Sequence, residues 1–523
     1  MRIRLLTLFY VFIICTGNFV AAQTTFQKTI GGTGSDYGFS CGVTSDGGYI
    51  ISGVTVDFVG SSTYYAYLIK LDANGDTLWV RKMRTTTNDR STYVEQTTDG
   101  GFILTGGTSG GVFLNRTDVD GNSLWIKSFS SGAPMQANCV KQTTDGGYVM
   151  VGYLFSFISN DYDVYLIKTD SAGIVSWTKS FGGLNADKGN WVQQTADGGY
   201  IIVGETESFG LTKLNVYLIK TDINGDTLWT KTLGGINDDQ GNAIEQTTDG
   251  GYIITGNSGS FGAGDWDVYL IKVDDNGNPT WSKTYGGAST DKSYSVHQTI
   301  DGGLIVSGAT ASFGSGSYDL FLIKTDAIGD TLWTKTFGGV SGEQTSIAQQ
   351  TSDGGYFVLG STSSFGAGGA DVYAIKTDSS GISGCHEGNP STVVASPSTQ
   401  QTSPSTQFYA NTITDSTTSL IFGSVSIVNT LCLTIDMNES ITDNLFTVFP
   451  NPTSGNFRIS FQKMMQQCSV EVINSLGLIV FSDIVSSAST KEIDLKKVSD
   501  GLYYVKVIDG MNYYCKKILV ANY

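Results

Sequence analysis

Residues 229–280 read WTKTLGGINDDQGNAIEQTTDGGYIITGNSGSFGAGDWDVYLIKVDDNGNPT, and close variants of this stretch recur along most of the chain. The tripeptide Asp-Gly-Gly starts at seven positions spaced by 53, 46, 52, 52, 52 and 52 residues: Asp46, Asp99, Asp145, Asp197, Asp249, Asp301 and Asp353. Tryptophan recurs in step with it, at Trp79, Trp125, Trp177, Trp229, Trp281 and Trp333. A period near 50 residues indicates one supersecondary unit used seven times.

Each copy contains four short strand candidates. In the fifth copy, which contains Asp249-Gly250-Gly251, they are Ala243–Thr248, Tyr252–Gly256, Asp267–Asp274 and Trp281–Tyr285. They are rich in Tyr, Ile, Val and Thr, and turn residues such as Asp249-Gly250-Gly251 separate them. The sequence therefore predicts an all-β fold, a seven-bladed β-propeller with four-stranded blades over residues 23–385.

The two ends of the repeat predict how the ring closes. The last copy supplies its third strand at Asp371–Asp378, but no fourth strand follows it. The missing strand, Phe26–Ile30, stands at the N-terminus and matches the start of the Trp strand in the other copies. We expect it to pair with Asp371–Asp378, because this pairing removes two exposed sheet edges.

The Trp strand, with the Asp72 and Gly75 turn before it, resembles the tryptophan-docking strand of quinoprotein propellers. The resemblance implies the architecture of those proteins, and no cofactor is expected beyond calcium as an open alternative. No catalytic residues are assigned, because neither a Ser/His/Asp nor a Cys/His arrangement can be assembled. His297 falls within a repeated strand and is interpreted as an ordinary substitution.

Strand direction alternates, so the tight turns share one face and the longer, more variable loops share the other. Loops on a rigid scaffold usually carry binding, and the loop face is therefore the functional candidate. Aromatic residues in or beside these loops would suit sugar stacking, although blade packing explains Trp191 equally well: Trp191, Trp266, Tyr162, Tyr318 and Tyr37.

Six of the seven copies carry a carboxylate ten residues before Asp-Gly-Gly: Asp36, Asp89, Asp187, Asp239, Asp291 and Glu343. One interpretation is an acidic ring that binds divalent cations or cationic partners. The other is a structural residue that accepts hydrogen bonds from backbone amides in each copy. Repetition favours the structural interpretation, because a functional site normally breaks the symmetry.

Charge and the N-terminus indicate an exported protein. Residues 1–22 have the basic start, short apolar core and small residues of a signal peptide, and no later stretch is long and apolar enough to span a membrane. The net charge of −17 argues against a nucleic-acid partner. Outside the cytoplasm disulfides are allowed, and Cys385–Cys432 and Cys468–Cys515 are the preferred pairs among the alternatives.

The last 140 residues change character. Residues 386–445 are rich in Ser, Thr and Pro, which predicts an extended linker with one strand pinned by Cys432. Residues 446–523 form a compact β-rich unit with blocks at Phe449–Gly455, Val470–Gly477, Asp500–Val507 and Lys516–Val520.

These blocks resemble the type A C-terminal sorting domain of the type IX secretion system of Bacteroidetes. The matching positions are Pro450, Asn451, Pro452, Gly455, Gly477, Gly501, Lys516 and Lys517. The resemblance implies an immunoglobulin-like sandwich that the secretion machinery recognises, and a protein that is released or held at the outer cell surface.

The sequence thus predicts a secreted or surface-displayed binding or adhesion module that takes an extracellular glycan or protein on its loop face. A polysaccharide-active enzyme using loop-face carboxylates, and a purely structural surface protein, are the alternatives. A deep pocket of asymmetric carboxylates would favour the enzyme, and a shallow face with exposed Trp or Tyr would favour binding. Seven near-identical loops with no pocket would favour the structural role.

Overall fold

The computed structural model describes residues 24–56, 63–83, 88–210, 213–404, 407–408, 414–417, 427–435, 446–451, 453, 456–474, 479–495, 498, 501–509 and 512–520. The predicted signal peptide lies outside these residues. The described residues include no helix that is long and apolar enough to cross a membrane.

Seven antiparallel sheets share one plan, four strands in consecutive order, and are named blades 1 to 7. Blade 1 comprises β2 (Asp36–Val43), β3 (Tyr49–Val56), β4 (Tyr64–Leu71) and β5 (Thr77–Met83). Blade 2 comprises β6 (Arg90–Gln96), β7 (Phe102–Thr108), β8 (Gly111–Thr117) and β9 (Ser123–Ser130). Blade 3 comprises β10 (Met135–Gln142), β11 (Tyr148–Ser156), β12 (Asp161–Thr169) and β13 (Val175–Gly182). Blades 4 and 5 comprise β14 (Asp187–Gln194), β15 (Tyr200–Thr206), β16 (Asn215–Thr221) and β17 (Thr227–Gly234); and β18 (Asp239–Gln246), β19 (Tyr252–Ser258), β20 (Asp267–Val273) and β21 (Pro279–Gly286). Blades 6 and 7 comprise β22 (Asp291–Gln298), β23 (Leu304–Thr310), β24 (Asp319–Thr325) and β25 (Thr331–Phe337); and β26 (Glu343–Gln350), β27 (Tyr356–Thr362), β28 (Asp371–Thr377) and β1 (Thr24–Gly31).

The Asp-Gly-Gly tripeptide closes the turn between the first and second strands of each blade. In blade 5 the amide of Thr247 donates to the carbonyl of Gly251 at 2.9 Å, and Gly250 has a φ of +88°. The Asp249 carboxylate accepts hydrogen bonds from the Thr247 hydroxyl and the Gly251 amide. The turn therefore needs this aspartate for its amides and this glycine for its left-handed backbone.

The ring closes as expected. β1 pairs with β28 antiparallel, with Phe26 opposite Lys376 and Ile30 opposite Val372. The first strand of each blade contacts the first strand of the next, and β2 of blade 1 contacts β26 of blade 7. The predicted fold class is thus confirmed: the chain is all-β, with seven four-stranded blades and an N-terminal strand that completes the last one.

Neighbouring blades lock together through the repeated tryptophan. A Cβ on Gly225, in the turn between the last two strands of blade 4, would lie 2.7 Å from the ring of Trp177 in blade 3. The equivalent contact recurs between Gly277 and Trp229. Because only a glycine leaves room for the indole, the docking arrangement implied by the resemblance is present in the structure.

Residues after the seventh repeat lie along the rim of the ring as short strands: β29 (Glu387–Gly388), β30 (Val393–Ala395), β31 (Gln400–Thr402), β32 (Gln407–Phe408), β33 (Thr414–Thr417) and β34 (Ile427–Ile435). We name this segment the belt. β29 to β33 pair with the outer strands of blades 6, 5, 4, 3 and 2 in turn, and β34 pairs with β1. The stretch expected to be a linker is extended, but it adds a fifth strand to six blades.

The belt keeps step with the blades through its prolines, which are seven residues apart. The carbonyls of Pro390, Pro397 and Pro404 accept hydrogen bonds of 2.6, 2.8 and 2.5 Å from hydroxyls on three successive outer strands. The donors are the residues that follow the docking tryptophans: Thr334, Ser282 and Thr230. One heptad of the belt therefore spans one blade of the ring.

The C-terminal unit is a separate antiparallel sheet of β35 (Phe446–Phe449), β36 (Asn456–Asn474), β37 (Ile479–Asp494), β38 (Gly501–Asp509) and β39 (Asn512–Val520). A bridge between Thr453 and Val520 brings its two edges together. The sheet curls around buried side chains such as Ile459, Val472 and Val505. The unit is accordingly a near-barrel in which long strands serve both layers of the predicted sandwich.

Candidate functional site

The predicted acidic ring is buried rather than displayed. All six members are at most 8% exposed: Asp36, Asp89, Asp187, Asp239, Asp291 and Glu343. Asp239 shows their role, because its Oδ2 accepts hydrogen bonds of 2.7 Å from the Gly235 amide and from the Ser260 hydroxyl. Asp36, Asp187, Asp291 and Glu343 accept the equivalent glycine amide, and so each of these acids ties a loop to the start of the next blade. The described residues contain no group of three or more His, Cys, Asp or Glu side chains that could hold a metal ion.

The predicted aromatic binders do not form one cluster. Trp266 and Tyr318 are half-buried in loops of blades 5 and 6, and Tyr162 is half-buried near the start of β12 in blade 3. Tyr162 packs edge-on against Tyr153 at 5.3 Å, and Tyr37 stacks on Phe39 at 6.3 Å near the ring axis. Trp191 lies apart from these residues on the innermost strand of blade 4.

Trp191 is 9% exposed and reaches across blade 3 to touch blade 2. Its ring packs edge-on against Tyr93 at 5.1 Å, and the Lys141 ammonium lies 5.3 Å from its centre. Lys141 also pairs with Glu95 at 2.6 Å. The pKa of Lys141 is raised well above its usual range, because the charges of Glu95, Tyr93 and Cys139 outweigh the effect of burial. This cluster joins the innermost strands of blades 2, 3 and 4.

The position four residues before Asp-Gly-Gly, on the innermost strand of each blade, varies from copy to copy: Gly42, Glu95, Lys141, Gln193, Glu245, His297 and Gln349. Four of the seven residues receive the same backbone contact, since Glu95, Gln193, Glu245 and Gln349 accept an amide of the following blade. His297 instead bonds Glu245 at 2.6 Å through Nδ1. Sequence reasoning missed this set, although its irregularity in an otherwise regular repeat was the available signal.

The other repeated polar positions are structural. The Gln194 side chain bonds the Gly198 carbonyl and the Thr144 amide of the preceding blade. The base that ends each third strand pairs with the turn aspartate of its own blade, as in Lys220–Asp197 at 2.8 Å. Asp118 accepts amides of its own hairpin turn.

The loop face carries exposed apolar side chains at several loop tips. Leu184, between β13 and β14, is 75% exposed, and Val340, between β25 and β26, is 86% exposed. Phe157, between β11 and β12, is 75% exposed. The acidic residues near these loops are buried, whereas the apolar side chains at the loop tips are exposed. The loop face therefore presents apolar residues and not carboxylates at these tips.

A groove of about 620 Å³ lies on the opposite, turn-bearing face, between blades 6 and 7. Trp333, Tyr356, Lys324 and Asp353 contribute to its lining. Trp333 and Tyr356 meet edge-on at 5.7 Å, in a contact that recurs at other blade junctions. The groove therefore belongs to the repeated packing of the blades.

The sorting-motif positions fall partly within the described residues. The Asn451 side chain accepts the Leu519 amide at 2.9 Å, joining the start of the unit to its last strand. Gly501 begins β38, Lys517 lies opposite Tyr504, and the Lys516 ammonium is 6.0 Å from the Phe446 ring centre. Pro450 lies beside Asn451, whereas Pro452, Gly455 and Gly477 lie outside the described residues.

The cysteines show no disulfide among the described residues. Cys41 and Cys139 are buried thiols, each 3.8 Å from a backbone carbonyl of a neighbouring blade. The side chains of Cys432 and Cys515 lie outside the described part. The pairs Cys385–Cys432 and Cys468–Cys515 therefore stay predictions.

The chain is an all-β protein of seven four-stranded sheets followed by a small curled sheet, and comparison with known proteins identifies the curled sheet. Residues 447–521 match the family described as secretion system C-terminal sorting domain. The chain thus carries a type IX secretion sorting domain, which implies interaction with that machinery and places the protein outside the cell or on its surface.

Two further comparisons give more distant similarities. The regulatory protein FlaEY of Caulobacter vibrioides is 25% identical over 177 residues, covering 29% of this chain and 18% of that protein. The chain thus spans less than a fifth of that relative's length. A crystal structure of a protein of unknown function from Dyadobacter fermentans matches with 12% identity and a TM-score of 0.38, covering 68% of this chain and 99% of that one.

Proposed function

We propose that the ring is an extracellular binding or adhesion module whose loop face contacts a glycan or protein ligand. The observation that carries this proposal is the exposure of Leu184, Val340 and Phe157 at loop tips of a rigid scaffold. Large apolar side chains on a loop face are typical of surfaces that are covered by a partner.

The distribution of carboxylates supports binding over polysaccharide cleavage. Hydrolysis of a glycosidic bond commonly needs two carboxyl groups that reach the substrate from either side. The repeated loop-face acids are instead buried and accept hydrogen bonds from the loops themselves, as Asp239 does. They shape the loops and are not presented to a ligand.

The test is retention of the purified mature chain on a broad polysaccharide array, with added calcium and with chelator. We expect a Leu184→Ser, Val340→Ser double variant to lose at least tenfold in retention, because each lost apolar contact weakens binding by roughly 1 kcal/mol. Leu78→Ser is the matched control, since Leu78 is 57% exposed on the turn face. Failure on every polysaccharide would discard the glycan ligand, and equal losses in both variants would discard the loop face.

A further inference from the structure

Two buried carboxyl groups meet at four of the seven blade junctions, beneath the loop face. One group lies at or near the start of the third strand of a blade, and the other starts the first strand of the next blade. The pairs are Asp163 with Asp187, Asp267 with Asp291, Asp319 with Glu343, and Asp371 with Asp36. Every member is at most 8% exposed.

A glycine shows how close the two groups of a pair are. A Cβ on Gly338 would lie 1.7 Å from Oδ1 of Asp319 and 2.4 Å from Oε2 of Glu343. A Cβ on Gly182 would lie 2.1 Å from Oδ1 of Asp163 and 2.9 Å from Oδ2 of Asp187. Both carboxyl groups thus occupy the space that a side chain would need, and they face each other across it.

The two members of a pair have different hydrogen-bond partners. Oδ2 of Asp187 accepts the Gly183 amide at 2.8 Å and the Ser208 hydroxyl at 2.7 Å. Asp163 receives one long bond of 3.5 Å from Ser159, to Oδ2, and its Oδ1 has no hydrogen-bond partner. Oδ1 of Asp187 has no hydrogen-bond partner either, so both members of this pair have an oxygen left to carry a shared proton.

Electrostatics point the same way. Burial, and then the charge of the neighbouring carboxylate, raise the pKa of Asp319 to about 7 and the pKa of Asp371 to about 6. Burial raises the pKa of Asp163 to about 6, with Asp161 adding to the shift, and Asp187 rises to about 6 through burial and Asp163.

The charged groups that face the pairs are also carboxylates. Burial and the charge of Asp291 raise the pKa of Asp267. Burial and the charges of Asp36 and Asp371 raise the pKa of the Tyr67 hydroxyl well above its usual range. Two adjacent buried carboxylates cannot both stay ionised without a counter-charge, so each pair holds one proton between its members.

A fifth junction supplies a natural neutral equivalent. Asn215 starts the third strand of blade 4, and its Oδ1 lies 2.9 Å from the place of a Cβ on Gly234. Oδ2 of Asp239 lies 2.6 Å from the same point. An amide has nearly the shape of a protonated carboxyl group and carries no charge, which is the state required of the aspartates at this position.

We propose that the four carboxyl pairs are shared-proton latches, which hold the blade junctions and their loops in acidic surroundings and loosen as the surroundings become alkaline. In two of the pairs the first-strand acid holds a loop that bears an exposed apolar tip, as Asp187 holds Gly183 next to Leu184 and Glu343 holds Gly339 next to Val340. Loss of the proton leaves two buried negative charges that repel each other across the junction.

The sign of the effect follows from the raised pKa values. The stabilisation is complete below the unfolded pKa near ~4 and is lost as the pH rises through the folded values of about 6 to 7. The effect is on the stability of the ring and the order of its loops, and it does not depend on which ligand binds.

The test is thermal unfolding of the mature chain between about pH 5 and about pH 8. We expect the wild-type Tm to fall by roughly 5 °C or more over this interval. The quadruple variant Asp163→Asn, Asp267→Asn, Asp319→Asn, Asp371→Asn should lose most of this slope, because its amides stay neutral. Asp275→Asn, an exposed turn residue, should keep the wild-type slope.

Three results would overturn the proposal. The first is a wild-type Tm that stays level or rises towards alkaline pH, and the second is an unchanged slope in the quadruple variant. The third is full rescue of the wild type at about pH 8 by millimolar calcium, which would make a cation the occupant of the pairs. If the quadruple variant does not fold, Asp319→Asn alone should slow amide exchange of Gly339 at alkaline pH relative to the wild type.

Discussion

At the scale of single residues, the glycines of the hairpin turns meet two different structural requirements. Gly250 and Gly225 both have positive φ, +88° and +78°. A Cβ on Gly250 meets nothing within 4 Å, whereas a Cβ on Gly225 meets Trp177 at 2.7 Å. The first glycine is needed for backbone conformation alone, and the second also for the space that the indole occupies.

Gly225→Ala should therefore destabilise the ring more than Gly250→Ala. Backbone strain costs about 1 kcal/mol at either position, and the clash with Trp177 adds about 1–3 kcal/mol. Chemical denaturation of the two variants beside the wild type measures the difference. Equal losses in the two variants would show that the tryptophan contact has no energetic weight.

The turn aspartates respond to pH in the opposite sense to the carboxyl pairs. Burial alone would raise the pKa of Asp197, but hydrogen bonds from Lys220 and Thr195 outweigh it and lower the pKa to about 2. A lowered pKa stabilises the fold above the unfolded value near ~4, and this stabilisation is lost as the pH falls towards about 2.

Asp197→Asn should cost roughly 0.5–1 kcal/mol at neutral pH, because solvent screens this half-exposed pair. The free energy of unfolding of the variant should also decrease less than that of the wild type as the pH falls from about pH 4 to about pH 2. Urea unfolding over this range is the measurement. A variant with wild-type stability at neutral pH would leave the Lys220–Asp197 pair without a stabilising role.

At the scale of elements, the blades could be predicted and the belt could not. The strands of blade 5 were expected within a few residues of their observed bounds, because Asp-Gly-Gly and Asn-Gly fix both hairpin turns. The belt has no alternating apolar pattern, since it is held by backbone pairing and by hydroxyl bonds to proline carbonyls. The seven-residue spacing of Pro390, Pro397 and Pro404 was the signal available, and it acquires meaning once the blade rim is known.

The candidate site, too, could be predicted from the sequence only in part. The acidic ring was found because it repeats, but its burial depends on how adjacent blades pack. The partner aspartates, such as Asp163 and Asp267, precede their ring acids by a constant 24 residues. That spacing shows nothing until the topology brings the third strand of one blade against the first strand of the next.

Truncation should show that the belt belongs to the ring. A mature chain ending at residue 435 should keep the Tm of the ring, whereas one ending at residue 385 should lose roughly 5 °C or more. The loss follows because the backbone bonds to six blades disappear and outer edges are exposed. The triple variant Thr230→Val, Ser282→Ala, Thr334→Val should fall between the two, and identical Tm values for both truncated chains would mean that the belt is an accessory.

At the scale of the whole molecule, one closure determines the arrangement of every face. β1 lies between β28 and β34, so the N-terminal strand joins the last blade to the belt. The arrangement of the loop face and of the carboxyl pairs at the junctions presupposes a ring that is complete. Amide hydrogen exchange of residues 25–30 in the mature chain tests this closure most directly. Amides paired on both sides should exchange as slowly as those of β20 in blade 5, whereas exchange as fast as that of an unpaired tail would contradict a ring closed by its N-terminal strand.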